Sequence, residues 1–451
     1  MNFAAFKEAV IRQAQAQGIA DYELYYQSAE STSVSAYLHE TNQFTSSNEG
    51  GVCFRCIVGG KMGYASTEEL SEAQAAAIVA RAADNARTLE SEDPAFLGQG
   101  GQEYEPLEIR GYALPTTEAL IASVLDTQEK LYAADPAVID GCSTQGISEH
   151  SEFAIYNSRG LDLHYENNAA GLVVAAVVSD GKEMANDYQI KLGKLDEIDA
   201  GALTAKAAKT AISKLGGDVA PTGQYPVVFD PEAMSDLLQT FCGIFSAEAA
   251  QKGLSRLADK EGTVIASGLV TLVDDPFHPE NPMPINFDAE GSPTHKKNVI
   301  EKGVLNTLLY NLKTAAKAGK ATTGNASKGG YDAPVTVRPF TMYLAGGDLT
   351  EEELLKKAGN GVYINSLGGL HAGANPISGD FSLQSAGFLI ENGVKTTAVK
   401  SFTVAGNFYD LLKNITAVAD NCTLPMAMGM TAFGAPTTLV EGLSIAGKAA
   451  G

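Results

Sequence analysis

Residues 370–393 read LHAGANPISGDFSLQSAGFLIENG, and this stretch decides how the second half of the chain is organised. Gly373, Asn375, Pro376, Gly379 and Asp380 are turn formers, unsuited to a helix or strand interior. Ser378-Gly379-Asp380 sets two acceptor-bearing side chains around a glycine, where the backbone can approach another chain or a ligand closely. Phe388, Leu389 and Ile390 then form an apolar run, and Asn392-Gly393 is a strong hairpin turn signal. Loops between packed elements are where binding groups concentrate. His371 and Asp380 have the composition of a base and its orienter, but no nucleophile accompanies them, and an exposed loop histidine is the plainer account.

Strands dominate around this stretch. Beyond Pro221-Thr222-Gly223, which reads as a domain junction, strands are expected at 225–229, 264–273, 299–309, 336–344, 361–365, 386–390, 397–404 and 437–445. Asp230-Pro231 starts a helix with an acidic cap and proline at its first position, running to about Lys252. Shorter helices are expected after Thr350, with Glu353 completing a capping box, and around 409–418. On the N-terminal side, helices are expected at 2–17, at 116–134, at 203–215, and from a Ser71/Gln74 capping box to Thr88. Residues 22–38 alternate as two strands, 52–65 as a hairpin around Gly59-Gly60, and 139–147, 152–157, 161–165 and 172–178 as a strand block. Residues 91–112 read as a surface loop. The fold class is therefore α+β, two domains (1–220 and 221–451) of mostly antiparallel or mixed sheets with flanking helices.

The net charge is −22, from 54 acidic and 32 basic residues, with no basic cluster. A protein that grips DNA or an anionic membrane needs clustered Lys and Arg, so direct nucleic-acid binding is not expected. Neither a membrane span nor a signal peptide is evident, which points to the cytoplasm. The five cysteines are scattered and do not form a disulfide framework. Cys53 and Cys56 form a C-x-x-C within a strand, where a separation of three puts them on opposite faces. None of the six histidines pairs as H-x-x-x-H, and no G-x-S-x-G elbow, phosphate loop or dinucleotide fingerprint occurs. Asp274, Asp275, His278 and Glu280, in VDDPFHPENP, could ligate a metal but more simply form an acidic, proline-rich surface loop. Glu248 is by default a solvated helix residue.

Four stretches together resemble the TldD/PmbA family, described as modulators of DNA gyrase and predicted zinc-dependent proteases. They are GGVCFRCIVGGKMGYAST (50–67), FDAEGSPTHKKNVIEKGVLNTLLYNLKTA (287–315), the segment 324–365, and NPISGDFSLQSAGFLIENG (375–393), which is similar to the family signature S-G-D-F-S followed by G-x-x-I-E-x-G. The resemblance implies a PmbA/TldD-like fold and two kinds of member. TldD-like chains carry H-E-x-x-x-H on the helix after the junction, with a cysteine further on; two histidines bind zinc and the glutamate activates water. PmbA/TldE-like chains lack these ligands and pair with the first kind. The matching helix here, PEAMSDLLQTFCGIFSAEAAQKG (231–253), holds no histidine, and only Cys242 and Glu248 on it could ligate; Cys422, in ADNCTLPMAMGM, lies near the region of the family cysteine.

The chain therefore resembles the PmbA/TldE kind: no catalytic residues and no metal of its own, with zinc expected only in a TldD-like partner. The expected substrates are small or unfolded peptides, and an extensive two-fold dimer is implied. Asn375, Ser378, Gly379, Asp380, Phe381 and Ser382, with His371, would form cleft or partner-interface architecture. The alternatives are a stand-alone hydrolase with a relocated site, at Asp274/His278 or His371/Asp380, and a non-enzymatic protein-binding modulator linked to DNA gyrase.

Overall fold

The computed structural model describes residues 1–90, 93–107, 112–281, 283–428 and 431–448, with only the backbone described at 426–428. Parts of the expected loop at 91–112, Pro282 of the acidic loop, and Gly429 and Met430 after Cys422 lie outside the described residues.

The N-terminal half begins with helix α1 (Phe3–Ala16), capped by Asn2, whose side chain accepts from the Ala5 N–H. Strands β1 (Asp21–Tyr37), β2 (Glu40–Val58) and β3 (Lys61–Thr67) follow, then α2 (Glu72–Thr88) and α3 (Thr117–Ala134). Strands β4 (Ser143–Asn157), β5 (Asp162–Ser179) and β6 (Met184–Leu192) and helix α4 (Ala200–Ser213) complete it. The strands form one antiparallel sheet in the order β3-β2-β1-β4-β5-β6. Helices α1 and α2 bury Phe6, Val10, Ile78 and Val79 against Leu24, Phe54 and Cys56. Helices α3 and α4 cover the far half of the sheet, around Val174 and Val178.

The opposite sheet face, with Tyr25, Cys53, Phe153 and Tyr165, packs on Met283, Ile285, Phe287 and Phe340 of the C-terminal half. Cys53 and Cys56 are thus buried in different layers, as a period of two requires. A buried ionic cluster fastens the halves together. Arg55 donates to Glu23 at 2.7 Å and lies 3.8 Å from Glu290, whose other oxygen accepts the Leu312 N–H at 2.9 Å. Asp288 accepts from the N–H groups of Glu290, Ser292 and Ala326. Burial pushes the carboxyls of Glu23, Asp288 and Glu290 up, against the pull of Arg55 on the two glutamates. The acidic residues of FDAEGS are therefore structural.

In the C-terminal half, strand 223–229 pairs in parallel with 361–368 and antiparallel with 438–446. Strands 380–391 and 394–407 continue the sheet, and 394–407 returns to pair with 438–446, so five strands close on themselves. A second, mixed sheet runs 304–305, 297–301, 272–274, 341–344, 431–435, 423–428. Helix α5 (Pro231–Phe241) lies between the two, touching strands of both. Its start follows from local chemistry: Asp230 accepts the Ala233 N–H at 2.8 Å, and Pro231 opens the first turn. Ala233, Met234, Leu237, Leu238 and Phe241 make its buried stripe.

Several expected elements differ. The two strands expected at 22–38 are one strand, Asp21–Tyr37, and the four-piece block at 139–178 is two long strands, Ser143–Asn157 and Asp162–Ser179, because polar residues interrupt the apolar pattern without breaking the ladder. The helix expected to reach Lys252 stops at Phe241. A tight turn at 242–245 follows, and Ser246 caps a separate helix, Ala247–Gln251. Most of 264–271 is loop, and Phe408–Lys413 is a helix followed by strand 415–418. The capping box at Thr350/Glu353 forms in full, and at Ser71 the serine accepts from Gln74 as expected. No described helix is long and apolar enough to cross a membrane.

Candidate functional site

The N-terminal sheet and the C-terminal half enclose a cleft of about 1000 Å³. One wall is the β1/β4 surface at Gln27, Ser28, Glu149, Ser151 and Phe153. The end of α5 and the turn after it supply Gln239, Thr240, Cys242, Gly243 and Ser246. The third wall is the 326–337 hairpin and its continuation, with Ser327, Lys328, Thr336 and Arg338. Ser246 is caught between two duties, capping 247–251 and closing the turn at Gly243, which makes the break after Phe241 a formed feature of the cleft.

The site offers a poor metal donor set. Burial pushes the Cys242 thiol up to about 11, so it is a neutral thiol near pH 7. The remaining polar groups at the end of α5 are an amide and hydroxyls, and Glu248 is drawn away to Lys252 at 2.6 Å. Among the described residues, no group of three or more His, Cys, Asp or Glu side chains could hold a metal ion. These residues do not fit a catalytic zinc site, which needs about three protein ligands and an open position.

The other sequence candidates are placed as follows. Asp274 is fully buried and accepts from Lys297, Asn325 and the Phe340 N–H, while Asp275 accepts the Phe277 N–H and pairs with Lys296 at 3.0 Å. The His278 ring accepts the Glu280 N–H and stands edge-on to Tyr343, and burial holds its pKa below the usual range. Asp275, His278 and Glu280 line a second cavity of about 740 Å³. Cys422 donates to the Leu344 carbonyl.

The 375–382 segment is a self-satisfied turn. The Asn375 side chain accepts from the N–H groups of Ile377 and Ser378, and the Asn375 carbonyl accepts the Gly379 N–H at 2.9 Å. Ser378 accepts the Asp380 N–H. Asn407 clamps the turn from the neighbouring strand, donating to the Ser378 carbonyl at 2.9 Å and to the Asp380 carboxylate at 2.7 Å. Side-chain hydrogen bonding to its carboxyl, from Asn407 first and then Ser378, holds Asp380 below its usual range. Gly379 has φ +81°, and a Cβ there would lie 2.6 Å from the Tyr409 ring. Phe381 and Phe408 pack on Phe241 at 6.2 and 4.7 Å between ring centroids, so the turn braces the end of α5 from behind. None of residues 375–382 lines the large cleft. His371 is exposed on a short helix, Leu370–Gly373, and Ser382 is exposed at the start of its strand. Asn392-Gly393 forms the expected hairpin turn, with positive φ at both residues.

Sequence reasoning missed Gln27, Glu149, Lys328 and Arg338, which come from three separated segments: β1, β4 and the 326–337 hairpin with its continuation. No local pattern marked them: Lys328 and Arg338 lie just outside the strands of the 326–337 hairpin, and all four meet only through tertiary packing.

Family models match along most of the chain: PmbA/TldA metallopeptidase domain 1 over residues 22–86, the central domain over 113–215 and the C-terminal domain over 222–447. The chain is 26% identical to a metalloprotease PmbA homolog of Haemophilus influenzae over 86% of this chain and 85% of the relative. It is 26% identical to metalloprotease PmbA of Escherichia coli O157:H7, with the same coverage of each. Among solved structures, one from Thermotoga maritima, named as a candidate modulator of a DNA gyrase, superposes with a TM-score of 0.88 at 30% identity, over 99% of this chain and 100% of that one. TldE of Thermococcus kodakarensis shares the fold, with a TM-score of 0.86 at 23% identity over 98% of this chain and 100% of that one. With its α+β architecture and these matches, the chain belongs to the PmbA/TldD metallopeptidase family.

Proposed function

We propose that this chain is a PmbA/TldE-like subunit that carries no metal and guides small or unfolded peptides to a zinc-bearing, TldD-like partner. The observation that carries the reading is the end of α5. The chain belongs to a family named for metallopeptidase activity, yet it lines the cleft at the end of α5 with Gln239, Thr240, Cys242 and Ser246, a set without three metal-ligating side chains among the described residues. The cleft suits an extended chain better than a folded protein, since its volume is about 1000 Å³. The same proposal includes a contact with a partner subunit, in a two-fold arrangement and in the cytoplasm, for which the surface around His371, Ile377 and Ser382 is exposed and available. The test is reconstitution. A partner bearing His-Glu-x-x-x-His is assayed on an unstructured peptide with and without this chain. Cleavage should rise when both are present, and a partner whose rate is indifferent to the addition would contradict the proposal.

A further inference from the structure

The chain is strongly acidic, yet one wall of the cleft at the end of α5 presents two cations to the cavity, Lys328 and Arg338. Lys328 is half-buried and Arg338 exposed, while three buried or half-buried cations elsewhere are matched: Arg55 with Glu23 at 2.7 Å, Lys214 with Asp187 at 2.9 Å, and Lys297 with Asp274 at 3.2 Å. Among the described residues, neither the Lys328 ammonium nor the Arg338 guanidinium forms a hydrogen bond or ion pair; Lys328 instead stands 4.5 Å over the Tyr25 ring. The charges of Glu23 and Asp332 reach Lys328 only from beyond ion-pair distance. Glu149, the one acid lining the cleft among the described residues, already accepts from the Ser151 hydroxyl at 2.6 Å. Burial pulls the Lys328 pKa down, as it does for an ammonium partly removed from water without a counter-ion. A bound anion would restore what desolvation costs, and a recess focuses that attraction. Lys and Arg side by side suit a carboxylate, which Arg can grip through two N–H groups.

We propose that the 328–338 wall is a carboxylate-binding site that anchors a peptide in the cleft through Lys328 and Arg338. The proposal rests on the peptide-guiding reading and names what the cleft recognises. A C-terminal carboxylate and an Asp or Glu side chain share this chemistry.

The test is a fluorescence-anisotropy titration of the full-length chain with three unstructured, N-terminally labelled peptides. One has a free C-terminus and no acidic residue, the second is its C-terminal amide, and the third is the amide with one internal Glu. The free-acid peptide should bind about tenfold more tightly than its amide, the scale of one charged hydrogen bond. Recovery of affinity by the internal Glu assigns the site to any peptide carboxylate; no recovery assigns it to the C-terminus, and either supports the site. K328Q and R338Q should abolish the free-acid advantage, and K252Q, on an exposed ion pair outside the cleft, should keep it. R338Q alters an exposed side chain, so it decides the matter even where K328Q folds poorly. Equal affinity for all three peptides, no binding of any, or an advantage that survives both variants would overturn the carboxylate site. Equal binding would leave the guiding role standing, and only an indifferent partner in the reconstitution assay would remove that role.

Discussion

Two regions touch the end of α5 from different sides, and they are opposite in character. The 375–382 turn looks functional in sequence, yet nearly every polar group in it is consumed locally, by Asn375, Ser378 and the Asn407 clamp. The cleft looks unremarkable in sequence, yet it gathers two cations, Lys328 and Arg338, whose charged groups have no hydrogen-bond or ion-pair partner among the described residues. A turn whose hydrogen bonds close on themselves stabilises structure; a recess whose charges remain open has capacity left for a ligand. The 375–382 turn therefore braces the helix end, and the proposed recognition is assigned to the cleft.

The largest effect that could break this contrast lies in the brace. Phe381→Ala removes a buried ring that packs against Phe241, and a loss of about 3–4 kcal/mol is expected in chemical denaturation. A loss below about 1 kcal/mol would mean the signature is not structural. Asn407→Ala comes next. It removes the two clamp bonds and the cap of helix 408–413, where the Asn407 side chain accepts the Tyr409 N–H, and should cost about 2 kcal/mol by the same measurement.

Legibility divided along the same line. Asn392-Gly393, the Asp230-Pro231 start and the Thr350/Glu353 box were readable because each is settled within a few residues. Residues 40–51 of β2 were missed because they carry little apolar alternation and take their strand conformation from pairing with β1. The stop after Phe241 was missed because a continuous apolar pattern hides the role of Ser246, which shows only once its cap is formed. The cleft was not readable at all: Gln27, Glu149, Gln239, Lys328 and Arg338 meet only through tertiary packing.

A smaller effect concerns a third side of α5. Burial, with Glu232 one turn earlier, pushes Asp236 up to about 7 from 3.8. The folded protein then keeps a proton that the unfolded chain releases, so this residue lowers stability as pH rises from about 4 to about 7. Asp236→Asn should flatten that part of the pH–stability curve by roughly 1–2 kcal/mol, allowing for partial solvent screening. An unchanged curve would show that Asp236 is ionised in the fold. The smallest effect sharpens the contrast from the cleft side: Arg338→Gln should change stability by less than about 0.5 kcal/mol, because the side chain is exposed and unbonded among the described residues. A drop like that of Asn407→Ala would make the cleft wall another brace.

The central claim is that the α5 cleft of this chain works without a metal. Its most direct test is zinc analysis of the purified chain after incubation with zinc and exhaustive dialysis, with peptide cleavage assayed on the same sample. The account predicts far less than one zinc per chain and no cleavage until a partner bearing His-Glu-x-x-x-His is added. One zinc per chain, with cleavage by the chain alone, would contradict it.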